Sequence, residues 1–90
     1  MLVLPATLTA REAQSTRRLL VQALAAEPVG EPVVIDASPL ADLDSSAVAV
    51  LLEVQRRALA ERRAFRIQSA PQKLRALATL YGVDGILMPA

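Results

Sequence analysis

Residues 33–52 read VVIDASPLADLDSSAVAVLL, and this stretch decides the fold. Residues 32–36, PVVID, form a mostly β-branched apolar run, which is typical of a central strand covered on both faces. From Ser45 to about Ala60 the apolar residues recur at helical spacing, with Asp44 or Ser45 as the N-cap. The stretch therefore predicts a strand that leads through a short loop into a helix with one buried face.

The N-terminal side of this stretch predicts one more strand and one more helix. Residues 1–4 are short and apolar and read as a strand start that Pro5 ends. Thr9 with Glu12 fits a capping box, in which the Glu12 side chain reaches back to the Thr9 N–H. The first helix then runs to about Ala26.

The C-terminal side repeats the pattern. Phe65–Gln68 alternates as a short strand, and Ser69 with Gln72 fits a second capping box for a third helix. Gly82 stops that helix. Residues 86–88, before Pro89, are either a last short strand or a packed tail.

Each helix has an apolar stripe at helical spacing. The residues predicted to be buried are Ala13, Leu20, Ala23 and Leu24 in the first helix, Val48, Leu51, Leu52 and Leu59 in the second, and Leu74, Leu77, Ala78 and Tyr81 in the third. Strands alternating with helices predict an α/β fold with a mostly parallel sheet and right-handed crossovers. With 90 residues, the chain is expected to be a single domain over residues 1–90.

The arginines near the end of the second helix have two interpretations. Arg56, Arg57, Arg62 and Arg63 form either a charged outer face or a partner contact, where Arg is enriched. Glu53 and Arg57 are spaced for an i,i+4 pair on that face.

Composition excludes several classes of function. The chain has no Cys and no His, which removes thiolate metal sites, disulfides and the commonest general base. The net charge is only +1 and the aromatic content is 2%, so nucleic-acid binding is not expected. No apolar run approaches the ~18 residues of a membrane span, and no signal peptide is visible. We expect a cytoplasmic protein without a metal or cofactor.

Residues 42–46, DLDSS, are the one concentrated polar feature. They are explained in three ways: as ordinary capping residues, as a serine nucleophile, or as a phosphorylation switch. A nucleophile needs a base, and only Lys73 offers an amine, which nothing in the sequence places nearby. Asp42 and Asp44 could in principle do acid–base work, but alternating acids in a loop are typical of caps. An enzyme is therefore not expected.

These residues also resemble a known family. Residues 33–38, VVIDAS, followed by residues 43–52, LDSSAVAVLL, are similar to the signature of STAS domains. That signature is an apolar strand ending in Asp, a short loop, and Asp-Ser-Ser-Gly or a related motif opening an apolar helix. The resemblance implies a STAS-like single domain with a mostly parallel four-stranded sheet and helices packed on it.

Two branches of the family fit the motif. In the small STAS subunit of the Mla phospholipid-transport ABC complex, the functional hydroxyl residue follows the Asp directly, which is Ser45 here. In anti-sigma factor antagonists, a kinase phosphorylates the second hydroxyl residue, which is Ser46 here. Residues 4–9, LPATLT, and 77–83, LATLYGV, are similar to the transport branch, whereas Ala47 stands where the antagonist branch usually has Gly.

The resemblance thus implies a non-enzymatic module that docks on a transporter ATPase and supports lipid asymmetry of the outer membrane. The alternative partner is an anti-sigma factor kinase. The module would meet the inner face of the inner membrane only through its partner complex. The implied partner-binding residues are Asp44, Ser45, Ser46, Val48 and Tyr81.

The start of the chain predicts one departure from the family. It begins too late for the family's usual extra N-terminal strand, so we expect an open sheet edge. An open edge invites pairing with another chain, which makes a homodimer one alternative.

Overall fold

The structure is a computed structural model that describes residues 1–88. Its strands are β1 (Leu2–Val3), β2 (Thr7–Leu8), β3 (Val33–Asp36), β4 (Asp42–Leu43) and β5 (Phe65–Gln68). Its helices are α1 (Ala13–Ala26), α2 (Ser45–Ala60), α3 (Gln72–Leu80) and α4 (Asp84–Leu87). The α/β class is confirmed. The predicted alternation of strands with helices holds for β1, α1, β3, α2, β5 and α3, and β2, β4 and α4 are additional short elements.

Strand pairing among these residues is parallel, but it is divided between two sheets. β3 lies between β1 and β5 in a three-stranded sheet, and β2 pairs with β4 in a separate two-stranded sheet. The prediction of one four-stranded sheet is therefore wrong. Leu2 lies opposite Ile35, whereas Thr7 lies opposite Asp42, so the β3–β4 path uses more residues than the β1–β2 path. Five residues separate β3 from β4 and three separate β1 from β2, and the ladder is interrupted at this point.

The three-stranded sheet has one buried face. Val33 and Ile35 of β3 are fully buried, whereas Val34 and Asp36 on the other face are half-buried. On that same face of β1, Val3 is 57% exposed. The prediction that this strand is covered on both faces is wrong, because the helices pack against one side of the sheet only.

The longest helix, α2, is central to the core. It packs against α1, α3, α4 and β5. Val48 and Leu51 are buried as predicted, but Leu52 is half-buried and Leu59 is 67% exposed. The buried row instead runs to Ala58, and Leu59 lies about 100° further around the helix, which turns it outward.

The predicted capping boxes form only in part. The Glu12 carboxylate accepts hydrogen bonds from the Thr9 N–H at 2.9 Å and from its hydroxyl at 2.6 Å. The N-cap is Glu12 rather than Thr9, however, and α1 begins at Ala13, three residues later than a Thr9 cap predicts. The second box is absent. α3 begins after Pro71 without a side-chain cap, and Ser69 instead takes a left-handed conformation with φ +58°.

The C-terminal segment is helical. Gly82, with φ +71°, follows the last residues of α3 as predicted. The alternative of a short strand over residues 86–88 is wrong, since Asp84–Leu87 is a helical turn. Leu87 is fully buried, so the packed-tail alternative describes this segment better. Pro89, which follows this segment in the sequence, lies outside the described residues.

Beyond the end of α2, Arg63 is buried at 6% exposure. Its guanidinium donates to the Glu31 carbonyl at 2.6 Å, to the Glu27 carboxylate at 2.7 Å and to the Leu24 carbonyl at 3.4 Å. The prediction that Arg63 lies on a charged outer face is wrong. Its side chain joins the end of α1 to the loop before β3.

Candidate partner-binding site

The site is organised around the first turn of α2. Asp44, one of the two residues predicted as the cap, is its N-cap and has an extended conformation. One carboxylate oxygen accepts the Ser46 N–H at 2.8 Å, and the other accepts the Ala10 N–H at 3.1 Å. Asp44 therefore caps α2 and also fixes the turn that precedes α1.

The same contacts set the charge of Asp44. Hydrogen bonds from the backbone N–H groups of Ser46 and Ala10 hold the pKa of Asp44 below its ordinary value of 3.8, and the positive charge of Lys73 contributes. Lys73, in the first turn of α3, is thus near the motif, which the sequence did not indicate. Both oxygens of Asp44 accept backbone hydrogen bonds, as those of a capping residue do.

The two serines of the motif differ in exposure. Ser45 is exposed, and Ser46 is half-buried. They also line different depressions on the surface of α2. The motif therefore presents one hydroxyl residue to each.

The first depression, here called the Tyr81 pocket, is lined by Ser45, Val48, Ala49, Leu52 and Tyr81 and measures about 290 Å³. Val48 is only 4% exposed and forms its floor, while Tyr81 is 54% exposed. The prediction that Tyr81 belongs to the core face of α3 is wrong, because the helix ends at Leu80 and the ring stays at the surface. Three of the five residues predicted to bind a partner line this pocket.

The second depression, here called the α1–α2 groove, lies between those two helices and measures about 510 Å³. It shares Ala49 and Leu52 with the Tyr81 pocket. Across it, Arg17 of α1 pairs with Glu53 of α2 at 3.1 Å. The predicted pairing of Glu53 with Arg57 is not formed, since the neighbouring helix offers a partner.

Sequence reasoning did not single out Ala49 or Leu52 as site residues. Both lie on the helix row that starts at the two serines, at i+3, i+4 and i+7. That spacing places Ala49 and Leu52 on the same face of α2 as the serines and could have indicated them as site residues. Leu52 also fits the buried stripe, however, which favoured a core role for it.

The described residues define an α/β domain in which the capped, serine-bearing start of a central helix borders two surface depressions. A family model described as "Mlab, STAS domain" matches residues 1–89. The chain belongs to this family of STAS domains, as its resemblance implied. STAS domains are generally non-enzymatic regulatory or interaction modules. No curated protein sequence matches the chain.

Two further observations bear on the site. Within residues 1–88, no helix combines the length and apolar character needed to cross a membrane. The same part of the chain brings together no group of three acidic side chains that could hold a metal ion.

Proposed function

We propose that this STAS domain docks on the ATPase subunit of a phospholipid-transporting ABC complex of the Mla type and supports its assembly or activity. It does so through the Tyr81 pocket and the adjoining start of α2. The domain contributes a binding surface and no chemistry of its own. It reaches the cytoplasmic face of the inner membrane through the partner complex.

One observation carries this proposal: residues distant in sequence converge on one surface. Ser45 and Val48 come from α2, and Tyr81 follows α3, yet all three line the Tyr81 pocket. The family match is to the Mla type of STAS domain. The resemblance of the motif implies Ser45 as the functional hydroxyl residue. An exposed aromatic ring beside an apolar floor is typical of interface centres.

The size of a stable contact requires more than this pocket. A standard interface covers about 800 Å² per partner. The domain exposes 5283 Å² in total, so such a contact takes a substantial share of its surface. The docking surface must therefore extend along α2 beyond the five residues of the Tyr81 pocket.

The phosphorylation switch at Ser46, with an anti-sigma factor kinase as partner, stays a prediction. Ser46 is half-buried, and its N–H is 2.8 Å from the Asp44 carboxylate. A phosphate there would add about −1.5 to −2 charges beside an ionised carboxylate. Ser45 is the more exposed hydroxyl of the two, and this favours the transport alternative.

The decisive experiment replaces Ser45. Ser45→Arg puts a long charged side chain into the Tyr81 pocket, so affinity for the purified cognate ATPase subunit should fall at least ~100-fold. Ala60→Arg, an exposed change at the other end of the same helix, is the matched control and should bind as wild type. Calorimetric titration measures both, and circular dichroism checks the fold. Wild-type affinity in Ser45→Arg would contradict the proposed interface.

A further inference from the structure

The α1–α2 groove continues the Tyr81 pocket along α2. Ala49 and Leu52 belong to both, and Ala13 lines the groove from α1. Arg17 and Arg56 also line it, one from each helix. The groove is thus a channel with an apolar floor and a cationic rim, contiguous with the surface where docking is proposed.

The charge around this groove is unbalanced. Among the residues that line it, the two cations Arg17 and Arg56 stand against one acid, Glu53. That acid is already engaged, since Glu53 pairs with Arg17 at 3.1 Å.

At the rim, Arg56 makes no ion pair with any residue in the described range 1–88. Its guanidinium is therefore available to pair with an acidic group of a partner protein. Because Glu53 is paired with Arg17 and Arg56 is not paired, the groove presents a positive potential to a partner that approaches it.

The geometry points to an acidic amphipathic helix of the partner ATPase as the occupant of the α1–α2 groove. Two packed helices leave a furrow into which the side-chain ridges of a third helix fit. An apolar stripe on that helix covers Ala13, Ala49 and Leu52, and Asp or Glu residues beside the stripe face Arg56. This inference rests on the proposed function, since it names the part of the ATPase that the surface receives.

The concave shape favours a protein segment over a lipid surface. Membrane-binding helices insert a protruding apolar face into the headgroup region. Here the apolar side chains form the floor and the arginines form the rim, so a bilayer would meet the charges without covering the floor. A helix from a partner covers both.

The test uses two adjacent arginines of α2. Both are exposed, but Arg56 lines the groove and Arg57 does not. In titrations with the purified cognate ATPase subunit, Arg56→Glu should weaken binding about tenfold at about 0.1 M salt and much less at about 1 M, where charges are screened. Arg57→Glu should stay within about twofold of wild type at both. In hydrogen exchange, wild type should protect an acidic helix of the ATPase, and Arg56→Glu should reduce that protection.

The outcomes separate this inference from the proposed function. If Ser45→Arg abolishes binding while Arg56→Glu binds as wild type, the groove is not occupied by an acidic helix and the docking proposal stands. If the wild-type domain does not bind the ATPase, both fall. If Arg56→Glu instead loses only an affinity for vesicles containing anionic phospholipid, the groove faces lipid and the inference is wrong.

Discussion

The polar side chains at the two ends of α2 differ in burial and in how many hydrogen-bond partners the chain itself gives them. At the C-terminal end, Arg63 is buried and its guanidinium is satisfied by carbonyl and carboxylate oxygens of the same chain. At the N-terminal end, Asp44 is satisfied by backbone N–H groups, but Ser45 and Tyr81 are left open beside it. Substitution of Arg63 at the first end should therefore change stability, and substitutions of Ser45 and Tyr81 at the second should change binding.

The largest effect is expected for Arg63→Ala. It removes a buried cation that links α1 to the loop before β3 and leaves Glu27 without its closest partner. We expect a loss of about 3 kcal/mol in the free energy of unfolding. This is the lower end of the range for breaking a buried ion pair, because Glu27 keeps some contact with solvent. Denaturant unfolding followed by circular dichroism measures it.

The neighbouring residue provides the control for this change. Arg62 is exposed, so Arg62→Ala should stay within about 0.5 kcal/mol of wild type. Equal losses of unfolding free energy in the two variants would contradict the stabilising role assigned to Arg63.

At the N-terminal end the corresponding change is Tyr81→Ala. Removing the ring should weaken binding to the cognate ATPase subunit by about 10- to 100-fold, as for an aromatic residue at an interface centre. The free energy of unfolding should change by less than about 1 kcal/mol, because half of the side chain is already exposed. Leu80→Ala is the matched control, since Leu80 is 74% exposed and lies outside the Tyr81 pocket. A larger loss of affinity in Leu80→Ala would place the contact elsewhere on α3.

The smallest effect concerns the charge of Asp44. Because the folded-state pKa lies below the ordinary 3.8, the unfolded chain binds the proton more readily, and stability from this carboxylate is lost as pH falls below that value. Asp44→Asn can still cap α2 but does not titrate. Its stability deficit at about pH 7 should therefore shrink towards about pH 3. Unfolding midpoints across this range measure the difference, and a deficit that grows on acidification would show that the charge is not stabilising.

Local signals in the sequence predicted much of this fold. The bounds Ser45–Ala60 for α2 and Phe65–Gln68 for β5 follow from caps, periodicity and strand alternation. The N-cap role of Asp44 follows in the same way. In each case the residues that set the structure are close together along the chain.

Features that depend on distant residues were not predictable in this way. The division into two sheets depends on how many residues separate paired strands. The burial of Arg63 depends on carbonyl groups of Leu24 and Glu31, and the partner of Glu53 comes from another helix. None of these contacts leaves a periodic pattern in the sequence.

The candidate site shows the same division. Ser45 and Val48 follow from the motif and Tyr81 from the family resemblance, and the structure brings all three into one pocket. Ala49 and Leu52 were missed as site residues because their roles depend on which helices flank α2.

The exposed ring at the pocket has a practical use. The chain contains one tyrosine and no tryptophan, so its intrinsic ultraviolet emission comes essentially from Tyr81. A partner that covers the pocket would change the intensity of that signal without any label on the domain. If the partner lacks tryptophan, the fluorescence of Tyr81 can be excited in a mixture of the two proteins and followed in real time. Its change with time would give the association and dissociation rates.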